Sequence, residues 1–350
     1  MVSNPDLYII DINSTAKNGL EKLNTISKQG AALFVVDQDR KVVGTLSDGD
    51  IRRGLLKGLS IDDGVALFAN TDYCYLEEGS FNKGDIKKLR DYDIKLAPVV
   101  SDDKKLLYII NTYTQRGVLP ATALIMAGGK GERLRPLTNE VPKPMLKVGD
   151  KPILEHNINR LKAYGVSTFY ISVRYLKEQI IDYFGDGSSM GVDIHYLEEC
   201  EPLGTIGAAG LIDNILDDYL LVMNADILTN VDFEHLYDKL IEHGADMLVG
   251  SVPYKVSVPF AVLSLNGALV KGLEEKPTYT YYTNSGIYLL RKHLLEYVPK
   301  NSLCNATDIM EKVVEHKMKL VAEPVIGYWL DIGRMEDYQK AQEDWKYIQF

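Results

Sequence analysis

A short apolar run, Ala123 to Met126, breaks into Gly128, Gly129 and Gly131, and this junction constrains the chain more than any other stretch. The run suits a buried parallel strand. Glycines placed directly after such a strand let backbone N–H groups approach an anion closely. Arg133, Arg135 and Lys143 follow within reach of the loop, and each can hold phosphoryl oxygens. Strand, glycine turn and spaced cations together indicate nucleotide phosphates. Two common phosphate motifs do not fit. The dinucleotide fingerprint needs a third glycine, and the residue three beyond Gly131 is Leu134. The P-loop needs Gly-Lys-Ser/Thr, and Lys130 is followed by Gly131.

At 350 residues, two domains are expected. A formal net charge of −10 argues against a general nucleic-acid binder, which needs clustered cations. Between Lys130 and Lys151 the cations outnumber the acids, the pattern of a focused small-anion site. Cys74, Cys200 and Cys304 lie far apart without metal-ligand spacing, so buried free thiols in a reducing compartment are expected. No signal peptide is read at the start, and no apolar run approaches the length that crosses a bilayer. A cytoplasmic protein is the expectation. The six histidines share no spacing and are read as surface or helix-face residues.

Residues 1–118 carry an internal repeat. Val35-Val-Asp-Gln-Asp-Arg-Lys-Val-Val43 matches Val99-Val-Ser-Asp-Asp-Lys-Lys-Leu-Leu107, each a strand, a polar turn and a second strand. Helical segments such as Thr15 to Gln29 bound them, and the two halves should pack as one unit. Gly117 to Ala121, with Pro120, is the boundary. Beyond it, Ile153, Asn157, Leu161 and Tyr164 share one helix face. Thr168–Val173 and Tyr219–Met223 read as strands, Lys177–Phe184 and Phe233–Glu242 as helices. Such βα alternation predicts a Rossmann-like, mainly parallel sheet, with ligands beyond the carboxyl ends of its strands.

The string from Gly128 to Thr138 together with Pro142-Lys143-Pro144 resembles the signature of the sugar-1-phosphate nucleotidyltransferases, G-G-x-G-x-R-L-x-P-L-T followed by P-K-P. The resemblance covers residues 121–350 and implies attack of a sugar-1-phosphate oxygen on the α-phosphorus of a nucleoside triphosphate, with pyrophosphate leaving. It implies that Gly128, Gly129 and Gly131 cradle the triphosphate, Arg133 holds the pyrophosphate, and Lys143 neutralises charge at the attacked phosphorus. Asp226 in Asn224-Ala-Asp226 and Asp331 in Trp329-Leu-Asp-Ile-Gly333 match the positions that hold Mg²⁺. Leu203, Gly204 and Thr205 match a base-recognition segment, in which Thr205 is expected to cap the helix that follows. Glu275, Lys276, Asn284 and Gly286 match a sugar-binding pair of strings. No hexapeptide repeat follows residue 290, so no appended β-helix is expected.

Residues 1–118 resemble a tandem CBS pair, a smaller α+β module that senses adenosyl nucleotides. Ser47 and Asp50 match the element that binds a nucleotide ribose, so an adenine nucleotide is a possible ligand. The second copy departs from the pattern: Tyr108 replaces the glycine, and Asn111-Thr-Tyr-Thr114 lacks the aspartate. Its alternative role is a packing or dimerisation platform, and a homo-oligomer is expected. CBS modules fused ahead of this type of catalytic domain resemble bacterial guanylyltransferases for glucosamine- or mannose-1-phosphate, which favours GTP. Uridylyl or thymidylyl transfer are the competitors. From other classes come a nucleotide-sugar-dependent glycosyltransferase, which favours an Asp-x-Asp pair where Asn224-Ala-Asp226 has one carboxylate, and a non-catalytic sensor of CBS ligands.

Overall fold

The computed structural model describes residues 4–26, 32–213 and 215–348, the side chain of Lys83 apart. The chain folds as two compact units. One comprises Met1–Val118 with Lys162–Ser167 and Gly187–Val192, the other Leu119–Leu161, Thr168–Asp186 and Asp193–Phe350.

The larger unit is built on a seven-stranded sheet. In chain order its strands are β1 (Ala121–Met126), β2 (Thr168–Val173), β3 (Asp193–Glu198), β4 (Tyr219–Asn224), β5 (Met247–Ser257), β6 (Thr278–Arg291) and β7 (Leu320–Pro324). They lie in the order β3-β2-β1-β4-β6-β5-β7. Only β6 runs against its neighbours; the other four pairings are parallel. Leu124 and Ile125 in β1 are fully buried, as a strand covered on both faces requires. The helices are α1 (Ile153–Ala163), α2 (Lys177–Phe184), α3 (Phe233–Glu242), α4 (Ala306–Glu315) and α5 (Met335–Asp344). Ile153, Asn157 and Leu161 are buried along one face of α1, with Tyr164 just past its end, as their spacing predicts.

Beyond Val249, β5 and β6 continue together as a two-stranded ribbon, from Ser251 opposite Asn284 to Ser257 opposite Thr278. A second hairpin, Val262–Asn266 with Leu269–Glu274, follows at its end. Apolar side chains here are exposed, among them Phe260, Leu263, Leu265, Leu269 and Leu273.

The smaller unit shows the repeat as two three-stranded sheets of the same design. Ile9–Asp11 is parallel to Ala32–Val36, which is antiparallel to Val42–Ser47; Leu76–Glu77, Leu96–Val100 and Leu106–Asn111 repeat this. Leu96, Val100, Leu106 and Ile109 of the second half are buried in the core of the first. The two hairpin turns also exchange backbone bonds, Val42 N–H to Lys104 O and Leu106 N–H to Arg40 O, both 3.0 Å. The first helix runs Ala16–Ile26; residues 27–29 of the expected span lie outside the described residues.

Helix Asp48–Leu56 of the first half has no counterpart after Asn111. The Ser47–Asp50 capping box that starts it is absent from Asn111-Thr-Tyr-Thr114, and Gly117 and Pro120 soon follow. One expectation fails. Cys304 is buried, but Cys74 and Cys200 are exposed, because they fall in a connector and in the turn after β3.

Candidate active site

The carboxyl ends of β1, β2 and β4 open into a cleft of about 270 Å³ lined by Gly128, Gly129, Arg174, Glu199, Gly204 and Asp226, among others. Gly128 is pressed against Glu199: a Cβ there would lie 2.9 Å from Glu199 Oε1. Any larger residue there would have to displace the Glu199 carboxylate. Gly129 has open space where a Cβ would go, and Gly131 takes a left-handed φ of 63° to start the turn Glu132–Leu134. The Thr138 hydroxyl donates to Gly131 O at 2.8 Å and ties the turn together.

Lys143 is buried, and its ammonium donates to Asp226 Oδ2. Asp331 Oδ1 lies 4.0 Å from the same nitrogen. The two carboxylates are brought together by a short antiparallel ladder that pairs Ile227 with Asp331 and Thr229 with Trp329. Ile332 N–H donates to Asp226 O at 3.0 Å, Ala225 N–H to Met126 O at 3.1 Å, and Asn157 Nδ2 to Ala225 O at 3.2 Å. These bonds fix the turn that presents Asp226.

A separate small core lies beneath. Leu134, Leu146, Leu228 and Ile332 pack together in it, each one to three residues from Arg133, Lys143, Asp226 or Asp331. Four distant chain segments thus deliver their polar residues from one apolar anchor. The exposed Arg133 guanidinium lies over Gly333, where a Cβ would stand 3.5 Å from both terminal nitrogens. Arg135 points elsewhere, 3.9 Å from Glu132.

Burial, and then the charge of Asp226, push the Asp331 carboxyl above its ordinary range, while Lys143 and Arg133 pull the other way. Asp226 Oδ1 is buried with no hydrogen-bond partner among the described residues. A buried carboxylate oxygen left unbonded, beside a second carboxylate of raised proton affinity, fits a divalent cation with oxygen ligands. No described cluster of three or more such side chains exists, so the protein would offer two ligands and a bound phosphate the rest.

Leu203, Gly204 and Thr205 reach the same region, but one expectation is corrected. Thr205 does not cap the segment after it. Gly207–Leu211 is a short 3₁₀ turn without a side-chain cap, and the Thr205 hydroxyl accepts from Ala306 N–H at 2.9 Å, at the start of α4. The reason lies in Gly204, with φ 83°. A Cβ there would sit 2.6 Å from Cys304 O, so the loop is seated on the entry to α4.

Asn284 and Gly286 stand beside the cleft. Gly286 N–H donates to Asn284 Oδ1 at 2.9 Å, and a Gly286 Cβ would meet Asn224 Nδ2 at 2.6 Å. Asn284 also donates to the Tyr288 hydroxyl at 2.8 Å. Glu275 and Lys276 are not brought in by any described contact. They are exposed between the outer hairpin and β6, with Lys276 at a φ of 47°.

Two residues of the cleft escape sequence reasoning. Glu199 is buried; its Oε1 accepts from the Ser172 hydroxyl and its Oε2 from Leu203 N–H at 3.2 Å. Arg174 follows β2 directly, and its Nε is buried without a partner among the described residues. The only signal for either was a charge immediately beyond an apolar strand.

In the smaller unit a second pocket of about 450 Å³ lies between the two halves, lined by Thr45, Ser47, Asn70, Asp72, Asp93 and Lys95, among others. Ser47 reaches it. The Asp50 carboxylate is engaged in the helix cap, accepting from Ser47 N–H at 2.8 Å and Ser47 Oγ at 2.5 Å, and it pairs with Arg53.

The nucleotidyl transferase family model matches residues 122–347, and the CBS domain model matches residues 2–57. A probable mannose-1-phosphate guanylyltransferase of rice (Oryza sativa subsp. japonica) is 32% identical over 62% of this chain and 62% of its own. A UTP–glucose-1-phosphate uridylyltransferase of Synechocystis is 29% identical over 63% of this chain and 62% of its own. The chain thus spans about three fifths of the length of these relatives. The crystal structure of HddC from Yersinia pseudotuberculosis complexed with GMP-PN superposes with a TM-score of 0.50 at 26% identity, covering 64% of this chain and 99% of that one. No described helix is long and apolar enough to cross a membrane.

Proposed function

The chain belongs to the nucleotidyl transferase family, and from that premise we propose that it joins a nucleoside triphosphate to a sugar-1-phosphate, releasing pyrophosphate, with GTP as the nucleotide. The convergence of Lys143, Asp226 and Asp331 beside the glycine loop carries the reaction class.

A phosphate oxygen of the sugar-1-phosphate forms a bond to the α-phosphorus. The bond from that phosphorus to the bridging oxygen breaks, and its electron pair leaves with pyrophosphate. No proton has to move, so the protein needs no general base; positioning and charge stabilisation suffice. Backbone N–H groups of Gly128 to Gly131 meet the β- and γ-phosphates, and Arg133 takes the charge of the leaving group. Lys143 sits where charge grows on the attacked phosphoryl group. Mg²⁺ held by Asp226 and Asp331 would neutralise the phosphate oxygens. Beyond its bonds to Tyr288 and Gly286, Asn284 keeps one amide N–H and one oxygen lone pair for sugar hydroxyls. Glucosamine- or mannose-1-phosphate is the proposed acceptor.

Glu199 supports GTP over its competitors. An ionised carboxylate has about four acceptor sites, and two are already used. Glu199 lines the cleft, so the remaining pair is proposed to accept from the base. Guanine alone offers two adjacent donors, N1–H and the N2 amine, on its Watson–Crick edge. Uracil and thymine offer one donor flanked by two acceptors, which a carboxylate repels. In the smaller unit, the pocket at Ser47 is proposed to take an adenine nucleotide, with Asp72 or Asp93 as acceptors for its ribose.

The test is pyrophosphate release with Mg²⁺, crossing GTP, UTP, dTTP, CTP and ATP with glucose-, mannose-, glucosamine- and N-acetylglucosamine-1-phosphate. Release with GTP and a hexose- or hexosamine-1-phosphate is expected. Faster turnover of UTP or dTTP rejects the base assignment, and silence across the grid, with and without added AMP, rejects the activity.

A further inference from the structure

We propose that Arg174 is a base-reading residue, whose guanidinium donates to the O6 and N7 acceptors of guanine while Glu199 accepts from N1–H and the N2 amine. This rests on the nucleotidyl transfer proposed above and assigns a second half to its base site.

Three observations converge on Arg174. It lines the same cleft as Glu199, Gly128 and Asp226. Its Nε is buried and has no partner among the described residues, and no described carboxylate pairs with it. A buried guanidinium donor without an acceptor is costly unless a ligand supplies one. The third is register. Val173 at the end of β2 lies opposite Glu198 at the end of β3, and Glu199 N–H donates to Val173 O at 3.0 Å. Arg174 and Glu199 are therefore the first residues past two adjacent parallel strands, whose spacing is about 4.8 Å. Ser172 bonds Glu199, and Arg174, two residues on, continues from the same side of the strand.

A cation fork and a carboxylate at that spacing complement one base. Guanine carries O6 and N7 on one edge, the pair that arginine reads in two-pronged fashion. Its N1–H and N2 amine lie immediately next to O6. Adenine reverses the polarity at position 6 and would set its amine against the guanidinium. The pyrimidines have no N7.

Binding of GTP, 7-deaza-GTP, ITP and UTP to the full chain, by calorimetry, tests this in wild type, Arg174→Ala and Arg174→Gln, with circular dichroism to confirm folding. Wild type should bind 7-deaza-GTP, which lacks N7, roughly 10-fold more weakly than GTP. Arg174→Ala should bind GTP and 7-deaza-GTP equally, both below the wild-type 7-deaza level because the O6 contact is lost as well, with UTP unchanged. ITP lacks only the N2 amine and reports on Glu199 separately. If Arg174→Ala weakens all four nucleotides alike, Arg174 serves the phosphates or the fold and the proposal falls; it also falls if GTP binding is unaffected in the folded Gln variant. A wild type that prefers UTP would instead overturn the guanine reading itself, and with it the role of Arg174.

Discussion

Lys143 and Asp226, 83 residues apart in sequence, form an ion pair whose ammonium also lies 4.0 Å from Asp331. One buried cation therefore holds two carboxylates together before any substrate arrives. Removing it does two things at once: it deletes the positive charge proposed above to act at the reacting phosphorus, and it leaves two carboxylates facing each other without the cation between them.

Lys143→Ala should lower kcat by roughly 10²-fold or more, the scale of losing one fixed charge donor at a transition state. Lys143→Arg should rescue little, because a planar fork does not replace a compact ammonium in a buried slot. Steady-state pyrophosphate release measures both. Turnover of the Ala variant within a few-fold of wild type would remove Lys143 from the reaction.

Asp331 binds its proton more tightly in the folded chain than in the unfolded one, since burial and Asp226 both raise its pKa. Without a divalent ion, stability is consequently lost as pH rises from the ordinary carboxylate value, about 3.9, through the raised one. Asp331→Asn should remove that loss. At pH 7 in chelator it should melt about 1–3 °C above wild type, a small gain because the side chain is partly exposed. Its activity should fall by about 10²-fold, and added Mg²⁺ should no longer raise its melting temperature. A destabilised Asn variant would show that the carboxylate is structural.

Gly129 and Gly204 make opposite predictions. Alanine at Gly129 meets nothing within 4 Å, so the fold should be untouched while the KM for the nucleotide rises about 10-fold as the new methyl crowds the phosphates. Alanine at Gly204 must take a φ of 83° with its Cβ 2.6 Å from the Cys304 carbonyl. That should cost roughly 2–4 kcal/mol of stability. Melting curves and KM together separate the two; a kinetically silent Gly129→Ala would mean the loop does not carry the triphosphate.

Thr205→Val should lose about 1 kcal/mol in urea unfolding, the usual size of a lost N-terminal helix contact, because α4 loses its acceptor at Ala306. GTP affinity should stay within a few-fold. The reverse outcome, intact stability with collapsed affinity, would return Thr205 to the base site.

How far these features can be read in sequence depends on how local their causes are. The strand ending at Met126, the glycine turn that follows it and the helix face of Ile153, Asn157 and Leu161 are set within a few residues, and they stand where the sequence pattern puts them. Asp226 is legible because it sits just past an apolar strand, and Asp331 because it sits in the short string Trp329-Leu-Asp-Ile-Gly333, at the end of a strand. What joins them, the pairing of Ile227 with Asp331, is a contact between distant segments that no string encodes. Thr205 misled for the same reason, its partner lying 101 residues on. Arg174 and Glu199 belong to no motif; a single charge after an apolar strand also describes many surface turns. Glu275 and Lys276 match a motif, yet contacts do not carry them to the cleft.

The ribbon and hairpin beyond Val249 set Phe260, Leu263, Leu265, Leu269 and Leu273 in water on a chain that is otherwise strongly acidic. Between residues 251 and 284 the sequence has three lysines and two glutamates, nearly neutral against −10 for the whole. Repulsion among copies is thus weakest where attraction is strongest, so salt should act on the purified protein in an uneven way. Screening the acidic remainder would free this one segment to govern colloidal behaviour, and charged substitutions at its leucines are the place to begin when concentrated samples cloud.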